Sequence, residues 1–164
     1  MSALIAYATH SGATRTLAET LADALRTAGL EVVLVDIAES PDPAGHDAVV
    51  LGSGVRVEAI EKTATAWART HQEAIGRVPF AFFTCSGSAS DPAKGGKQKA
   101  ADAFLAAFPV APVATRNFPG WVLMDRLPVH ERVLLKSMRT PTGEFRDLPA
   151  VEAWGREIAP LLRG

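Results

Sequence analysis

The segment from residue 9 to residue 14 combines hydroxyl side chains with a glycine and follows a short apolar run; its residues are Thr9, His10, Ser11, Gly12, Ala13 and Thr14. A helical pattern begins at its end, so its backbone N–H groups would converge at a helix N-terminus, with hydroxyls as further donors. Gly12 lets the backbone approach a ligand closely. This 9–14 loop predicts a nest for a phosphate dianion, although an ordinary helix cap and turn uses the same residue types. His10 has two open orientations, capping the phosphate or pointing to solvent, and we favour solvent.

Two further segments of small polar residues follow later apolar runs. The 52–57 loop consists of Gly52, Ser53, Gly54, Val55, Arg56 and Val57. Its glycines would let it lie against a flat ring, or would make an ordinary strand-to-helix turn. The 84–89 loop consists of Thr84, Cys85, Ser86, Gly87, Ser88 and Ala89. Its backbone amides would face the polar edge of a ligand, or it is a plain surface loop. We interpret Cys85 as a small buried residue rather than a redox thiol.

The elements that carry these loops alternate between strand and helix patterns. Continuously apolar runs predict strands at residues 3–7, 31–36, 48–52, 79–84 and 110–117. Helical spacing predicts helices at residues 14–28, 62–75, 97–108, 128–138 and 149–162. Pro112 places the last strand at an edge or an interrupted position. The pattern predicts an α/β fold with a doubly wound, five-stranded parallel sheet and helices on both faces. Ligands of such sheets bind at the carboxyl ends of the strands, so we expect the three loops to form one site.

Several other motifs are missing from the chain. A dinucleotide fingerprint needs G-x-G-x-x-G, whereas the first turn has only Gly12. A Walker phosphate loop needs Ser or Thr after Gly96-Lys97, where the chain has Gln98. The strand ends lack the acidic cluster of a phospho-acceptor receiver domain, and no G-x-S-x-G nucleophile elbow surrounds Ser86. The four histidines are scattered, so no metal site is expected.

The overall composition indicates one domain spanning residues 1–164, with 48% apolar and 21% charged residues. A net charge of −1 excludes a strong nucleic-acid-binding field over the whole chain. A single cysteine cannot form an internal disulfide, which is compatible with a reducing cytoplasm. The first residues have neither the basic region nor the apolar region of a signal peptide, and no apolar stretch is long enough to span a membrane. We therefore expect a cytoplasmic protein.

Two of the loops carry a family resemblance. Residues 6–14, Ala-Tyr-Ala-Thr-His-Ser-Gly-Ala-Thr, resemble the FMN-phosphate loop of flavodoxins, usually T/S-x-T-G-x-T. Residues 51–56, Leu-Gly-Ser-Gly-Val-Arg, resemble the G-A/S-S-I-R element of the menaquinone-dependent protoporphyrinogen oxidase branch. The C-terminal part is similar to that branch in the order of Phe118-Pro119-Gly120, Met124-Asp125-Arg126-Leu127, Thr142-Gly143-Glu144 and Trp154. The resemblance covers most of the chain and identifies it as a member of the flavodoxin-like family.

The resemblance implies FMN as the cofactor, with its phosphate in the 9–14 loop and its ring between the other two loops. The binding residues it implies are Thr9, His10, Ser11, Gly12, Ala13, Thr14, Ser53, Gly54, Val55, Arg56, Val57, Thr84, Cys85, Ser86, Gly87 and Ser88. It also implies an oxidoreductase of heme biosynthesis that takes electrons from a reduced tetrapyrrole and passes them to a quinone. No side chain stands out as the catalytic acid or base. A soluble electron-carrier flavodoxin and a flavin-free binding module of the same fold are the alternatives.

Three features depart from the flavodoxin pattern. Ala13 stands where flavodoxins often carry Asn or Gln, so one side-chain donor is lost. Neither presumed ring loop contains the Tyr or Trp that commonly stacks on the flavin. The net charge of −1 differs from the strongly acidic surface of short-chain flavodoxins, which disfavours the carrier role. Arg56 is open to two interpretations: contact with the ring or an anionic substrate, or a salt bridge at the surface.

The segment from residue 121 to residue 139 is both apolar and basic. Its apolar residues include Trp121, Val122, Leu123, Met124, Leu127, Val129, Val133, Leu134, Leu135 and Met138, and its basic residues are Arg126, His130, Arg132, Lys136 and Arg139. Such a stretch would rest on an anionic membrane surface near a lipid quinone, or bind the substrate's carboxylates or a second copy of the chain. The simpler interpretation is a helix that packs its leucines on the sheet and exposes its charges.

Overall fold

A computed structural model of the chain describes residues 1–56, 58–87, 98–122, 128–137, 143, 144 and 146–164. Predictions for Val57, Ser88, Ala89 and residues 123–127 and 138–142 therefore lie outside the described residues. Five parallel strands form the main sheet: β1 (Ser2–Ala8), β2 (Glu31–Asp36), β3 (Ala48–Arg56), β5 (Phe80–Ser86) and β6 (Ala114–Pro119). Their order across the sheet is β2-β1-β3-β5-β6. The short strand β4 (Ala59–Ile60) pairs antiparallel with β3, and β7 (Trp121–Val122) pairs with β8 (Gly143–Glu144).

Helices cover both faces of this sheet, as the sequence predicts. One core cluster joins the sheet to α1 (Ala13–Thr27) and α6 (Leu148–Leu162). The other joins it to α2 (Lys62–Thr70), α3 (Gln72–Ile75) and α4 (Lys99–Ala107). Side chains alternate along β1, so Ile5 and Tyr7 enter the first cluster while Leu4 and Ala6 enter the second. Helix α5 (Val129–Ser137) lies later in the chain, and Ile37–Glu39 form a 3₁₀ turn.

The strands that carry the 52–57 and 84–89 loops extend further than their apolar runs. Strand β3 continues to Arg56 because Val55 and Arg56 pair with β4 in a hairpin. Strand β5 continues to Ser86 because residues as far as Ser86 pair with β6. Residues 52–56 of the first predicted loop and residues 84–86 of the second are therefore strand, and their backbones are held by pairing in the sheet. The polar residue types at these positions masked the strand pattern.

The helices differ from the predictions mainly at their ends. The predicted helix 62–75 is divided at His71 into α2 and α3. Strand β6 begins at Ala114, after Pro112, and lies at the edge of the sheet as expected. None of the helices in the described part of the chain has both the length and the hydropathy of a membrane span.

The strand order reverses between β1 and β3, which are neighbours in the middle of the sheet. From β1 the chain crosses to β2 on one side, whereas β3 leads to β5 and β6 on the other. The connections after β1 and β3 therefore run to opposite faces and leave a crevice at their carboxyl ends. The 9–14 and 52–57 loops border this crevice. Gly52 allows the close packing beneath it, since a Cβ there would lie 2.2 Å from the Phe83 ring.

Candidate functional site

The 9–14 loop leads from β1 directly into the start of α1. Gly12 is the N-cap residue, adopts a left-handed conformation with φ 95° and has no side chain with which to cap the helix. The Thr9 hydroxyl accepts a hydrogen bond of 2.9 Å from the Gly12 N–H and so holds the loop turned. The first N–H groups of any α-helix have no acceptor within the helix, so those at the start of α1 are available to an anion. The loop is therefore a candidate anion nest, with Gly12 rather than a hydroxyl residue at the N-cap position.

A small polar space lies beside Gly54, between the 9–14 and 52–57 loops. A methyl group built on Gly54 would lie 3.3 Å from Thr14 Oγ1, 3.8 Å from Glu61 Oε1 and 4.0 Å from the Ala8 carbonyl oxygen. Thr14 is buried. Because Gly54 has no side chain, oxygen atoms of three residues, Thr14, Glu61 and Ala8, lie around this position. This position lies where the strand order reverses, between β1 and β3.

Ser53 joins the end of β3 to the start of α2. Its buried hydroxyl donates to the Gly54 carbonyl at 2.8 Å and accepts from the Glu61 N–H at 3.0 Å. Ser53 is thus a framework residue of the 52–57 loop, and its hydroxyl is already engaged. Val55 is partly exposed at the same edge, while Val57 lies outside the described residues.

His10 and Arg56 both contact Glu131, which comes from α5. His10 Nε2 lies 2.8 Å from Glu131 Oε2, and Arg56 Nη1 donates to Glu131 Oε1 at 2.9 Å. Arg56 Nη1 also lies 3.2 Å from His10 Nδ1. Arg56 is 47% exposed, so it forms the surface salt bridge that was one of its two interpretations. His10 is exposed, as favoured from the sequence, and its ring also contacts Glu131 and Arg56.

The electrostatics of Glu131 follow from these contacts. Burial of its carboxyl, which is 14% exposed, acts to raise the pKa. The hydrogen bonds and charges of His10 and Arg56 outweigh burial and hold the pKa of Glu131 below its ordinary value. The ionised carboxylate therefore ties α5 to the 9–14 loop and to the end of β3.

The residues of the 84–89 loop have mainly packing roles in their described part. The hydroxyls of Thr84 and Ser86 both donate to Asn117 Oδ1, at 2.9 and 3.0 Å. Cys85 is buried, as expected, and a Cβ on Gly120 would lie 2.6 Å from its Sγ. These side chains therefore fix β5 to β6, and Gly87 is exposed at the end of the described part of this segment.

Sequence reasoning missed three side chains at this edge of the sheet. Glu131 lies 121 residues from His10 along the chain, and no local pattern links them. The sequence places Asn117 in a strand but does not predict that its side chain accepts hydrogen bonds from Thr84 and Ser86. Glu61 had a signal, because a carboxylate stood directly before a predicted helix and after a candidate binding loop. The described residues contain no group of His, Cys, Asp and Glu side chains that could hold a metal ion.

A separate cavity is lined by residues of β4, α2 and α4. It has a volume of about 450 Å³ and separates α2 from α4, with Lys62 and Arg69 at its rim and Phe104 and Phe108 in its wall. It does not include any residue of the 9–14 loop.

The residues present fit a flavin nucleotide. The start of α1 offers N–H donors for a phosphate, and the space beside Gly54 offers acceptor oxygens next to it. The ends of β3 and β5 pair in register, with Gly54 opposite Cys85. The two segments expected to flank the ring are thus neighbours in the sheet.

Comparison with known proteins gives one similar curated sequence and several solved structures of the same fold. The protoporphyrinogen IX dehydrogenase (quinone) of Escherichia coli strain K12 is 26% identical over 174 aligned positions, which span 98% of this chain and 96% of that protein. Oxidised flavodoxin 1 from Bacillus cereus superposes with a TM-score of 0.65 at 18% identity and covers 98% of each chain. The rubredoxin oxygen:oxidoreductase of Desulfovibrio gigas gives a TM-score of 0.60 at 17% identity, over 99% of this chain but 36% of that one.

The family assignment rests on a match along most of the chain. Residues 4–148 match the family described as Flavodoxin domain. The strand order and the anion nest after β1 agree with that match. The chain therefore belongs to the flavodoxin domain family, a family of flavin-binding proteins.

Proposed function

We propose that the protein binds FMN in the crevice between β1 and β3 and acts as an FMN-dependent oxidoreductase. The observation that carries the proposal is the left-handed Gly12 as the N-cap residue of α1, directly after β1. Bound flavin supplies the redox chemistry, while the protein sets its orientation and potential. The N–H groups at the start of α1 hold the phosphate, and Thr14 lies beside it.

The charges near the nest indicate how the phosphate is held. His10 and Arg56 share the carboxylate of Glu131, so their positive character is largely balanced within the cluster. We therefore assign phosphate binding mainly to the backbone and the helix dipole rather than to these cations. The ring lies between residues 53–57 and 84–88, without an aromatic side chain stacked on it from either segment.

For the reaction, we propose oxidation of a reduced tetrapyrrole of the protoporphyrinogen type with a quinone as the acceptor. The similarity to the Escherichia coli dehydrogenase over nearly the full length of both chains supports this assignment. The net charge of −1 also favours a small acceptor over a strongly basic protein partner.

A soluble electron carrier is the second candidate. The solved flavodoxin of Bacillus cereus and this chain superpose over 98% of each, which supports this candidate. The carrier predicts electron exchange with a reductase protein and no turnover of a tetrapyrrole.

The exposed apolar side chains of α5 support contact with a membrane surface that would hold the quinone. Val129, Val133 and Leu134 are 70%, 63% and 41% exposed, so the described apolar residues of α5 do not pack on the sheet. His130 and Arg132 lie on the same helix. We propose that this face brings the protein to the inner surface of the cytoplasmic membrane.

The first experiment is to mix the purified protein with excess FMN, remove free ligand and record the visible spectrum. We expect retained absorption near the flavin bands, at about 370 and 450 nm. Turnover of protoporphyrinogen with a quinone then separates the oxidase from the carrier. Protein without retained flavin, together with a titration calorimetry trace without heat, would instead indicate a binding module that has lost its cofactor.

A further inference from the structure

Glu61 carries a buried oxygen atom that no donor satisfies. The residue stands directly before α2, and its N–H is held by the Ser53 hydroxyl at 3.0 Å. Its side chain does not cap the helix. Within the described part of the chain, Oε1 is the one buried side-chain polar atom without a hydrogen-bond partner. A buried acceptor in this condition is costly and indicates a donor that comes from elsewhere.

The position of this oxygen defines what such a donor would be part of. Glu61 Oε1 and Thr14 Oγ1 both lie next to the space beside Gly54, at 3.8 and 3.3 Å from the position of a Cβ there. Thr14 belongs to the 9–14 loop and Gly54 to the 52–57 loop. Glu61 therefore stands between the two segments assigned to the phosphate and to the ring of FMN.

The chemistry of a carboxylate restricts the partner further. An ionised carboxylate only accepts hydrogen bonds, and it repels a phosphate dianion. The part of FMN that joins the phosphate to the ring is a polyol chain, whose hydroxyls are donors. A half-buried Glu can bring either oxygen towards such a chain, because its terminal torsion is soft.

We propose that Glu61 is a binding residue for the polyol chain of the cofactor and accepts hydrogen bonds from its hydroxyls. This inference rests on the proposed binding of FMN and adds a residue to it. The hydrogen bonds to Glu61 would make the site selective for a flavin with a hydroxylated chain. A purely structural role for Glu61, as a negative charge at the start of α2, would instead act on stability alone.

The test compares two ligands that differ only in the chain hydroxyls: FMN, and a flavin phosphate analogue whose chain is a plain alkyl group. Dissociation constants are measured by quenching of flavin fluorescence for the unmodified protein, Glu61→Ala and Glu61→Gln. Both ligands carry a phosphate, so removal of the Glu61 charge changes the contribution of the phosphate to binding equally for the two ligands. The ratio of the two constants then isolates the hydroxyl contacts.

We expect the unmodified protein to prefer FMN over the alkyl analogue by roughly 10- to 100-fold, as for hydrogen bonds to a charged group. Glu61→Ala should remove most of this preference, and Glu61→Gln, which keeps a neutral acceptor of the same size, should retain part of it. Glu58→Ala is the control. It removes an exposed carboxylate from the turn between β3 and β4, three residues before Glu61, and should keep the full preference for FMN.

An equal preference for FMN in the unmodified protein and in both Glu61 variants would overturn the inference, as would equal weakening of both ligands. Thermal unfolding of each variant reports the structural role separately. If the unmodified protein bound neither ligand, the proposed function itself would fail. That result is distinct from retained FMN binding that does not depend on Glu61.

Discussion

At the scale of single residues, Gly12 shows how backbone conformation prepares a site before any side chain contributes. Its φ of 95° lies in the left-handed region, which glycine adopts readily and other residues adopt at a cost of about 1–2 kcal/mol. The turn directs the first N–H groups of α1 towards the crevice. Thr9 fixes that turn through its hydroxyl.

Replacement of Gly12 by Asp should abolish FMN binding, because it places a negative charge and a side chain in the nest. We expect affinity to fall by at least roughly 100-fold, the equivalent of losing two or more charge-assisted hydrogen bonds. Fluorescence titration with FMN measures the loss. Gly12→Ala is the matched control: it adds the backbone strain without the charge, so it should weaken FMN less. Unchanged affinity in Gly12→Asp would rule the 9–14 loop out as the phosphate site.

At the scale of elements, Glu131 connects α5 to two other parts of the site. The carboxylate has a lowered pKa, so the folded state binds its proton less tightly than the unfolded state does. Its contribution to stability is therefore complete above the ordinary carboxyl pKa. It is lost as the pH falls through the lowered pKa of the folded state.

Replacement of Glu131 by Gln should reduce the free energy of unfolding near neutral pH by about 0.5–1 kcal/mol, a modest value because Arg56 is half exposed. The difference between the two proteins should shrink in acid, where Glu131 is protonated. Urea unfolding at several pH values measures it. Glu19→Gln, which breaks the exposed pair with Arg15, is the control and should change stability little. A difference that stayed constant into acid would show that the ion pairs do not contribute.

The contact between α1 and α6 depends on a second glycine. A Cβ on Gly155 would lie 2.7 Å from Ala24 Cβ, so even one methyl group would separate the two helices. Gly155→Ala should therefore destabilise the protein by about 1–3 kcal/mol in denaturant unfolding, despite the better helix propensity of alanine. Glu152→Ala, at an exposed position of α6, should remain within about 0.5 kcal/mol of the unmodified protein. A stabilised Gly155→Ala would mean that the helices are less tightly packed than described.

At the scale of the whole molecule, the balanced charge distinguishes this chain from a carrier that is steered to basic partners. Steering requires a large net charge of one sign, and the net charge here is −1. Electron transfer from the reduced, FMN-loaded protein to a basic haem protein should thus change by less than about threefold between roughly 20 and 200 mM salt. Stopped-flow absorbance measures the rate. A steep decrease with salt would favour the carrier instead.

The sequence alone determined most of the secondary structure and the polar ends of the central strands. Hydrophobic periodicity identifies strands and helices because each element buries one face or both against neighbours, and that requirement repeats locally. The resemblance at residues 6–14 and 51–56 added the family. Helix α1, strand β2 and the edge position of β6 followed from these local signals.

Only the tertiary structure decided which side chains meet at the site. Strand β3 continues through polar residues because a hairpin partner, β4, satisfies its backbone. His10 meets Glu131, and Thr84 meets Asn117. Glu61 arrives beside Thr14 because α2 and α1 start at the same edge of the sheet. Such pairings depend on how distant segments pack, and no local spacing records them, since a hydrogen bond requires only that donor and acceptor be close in space.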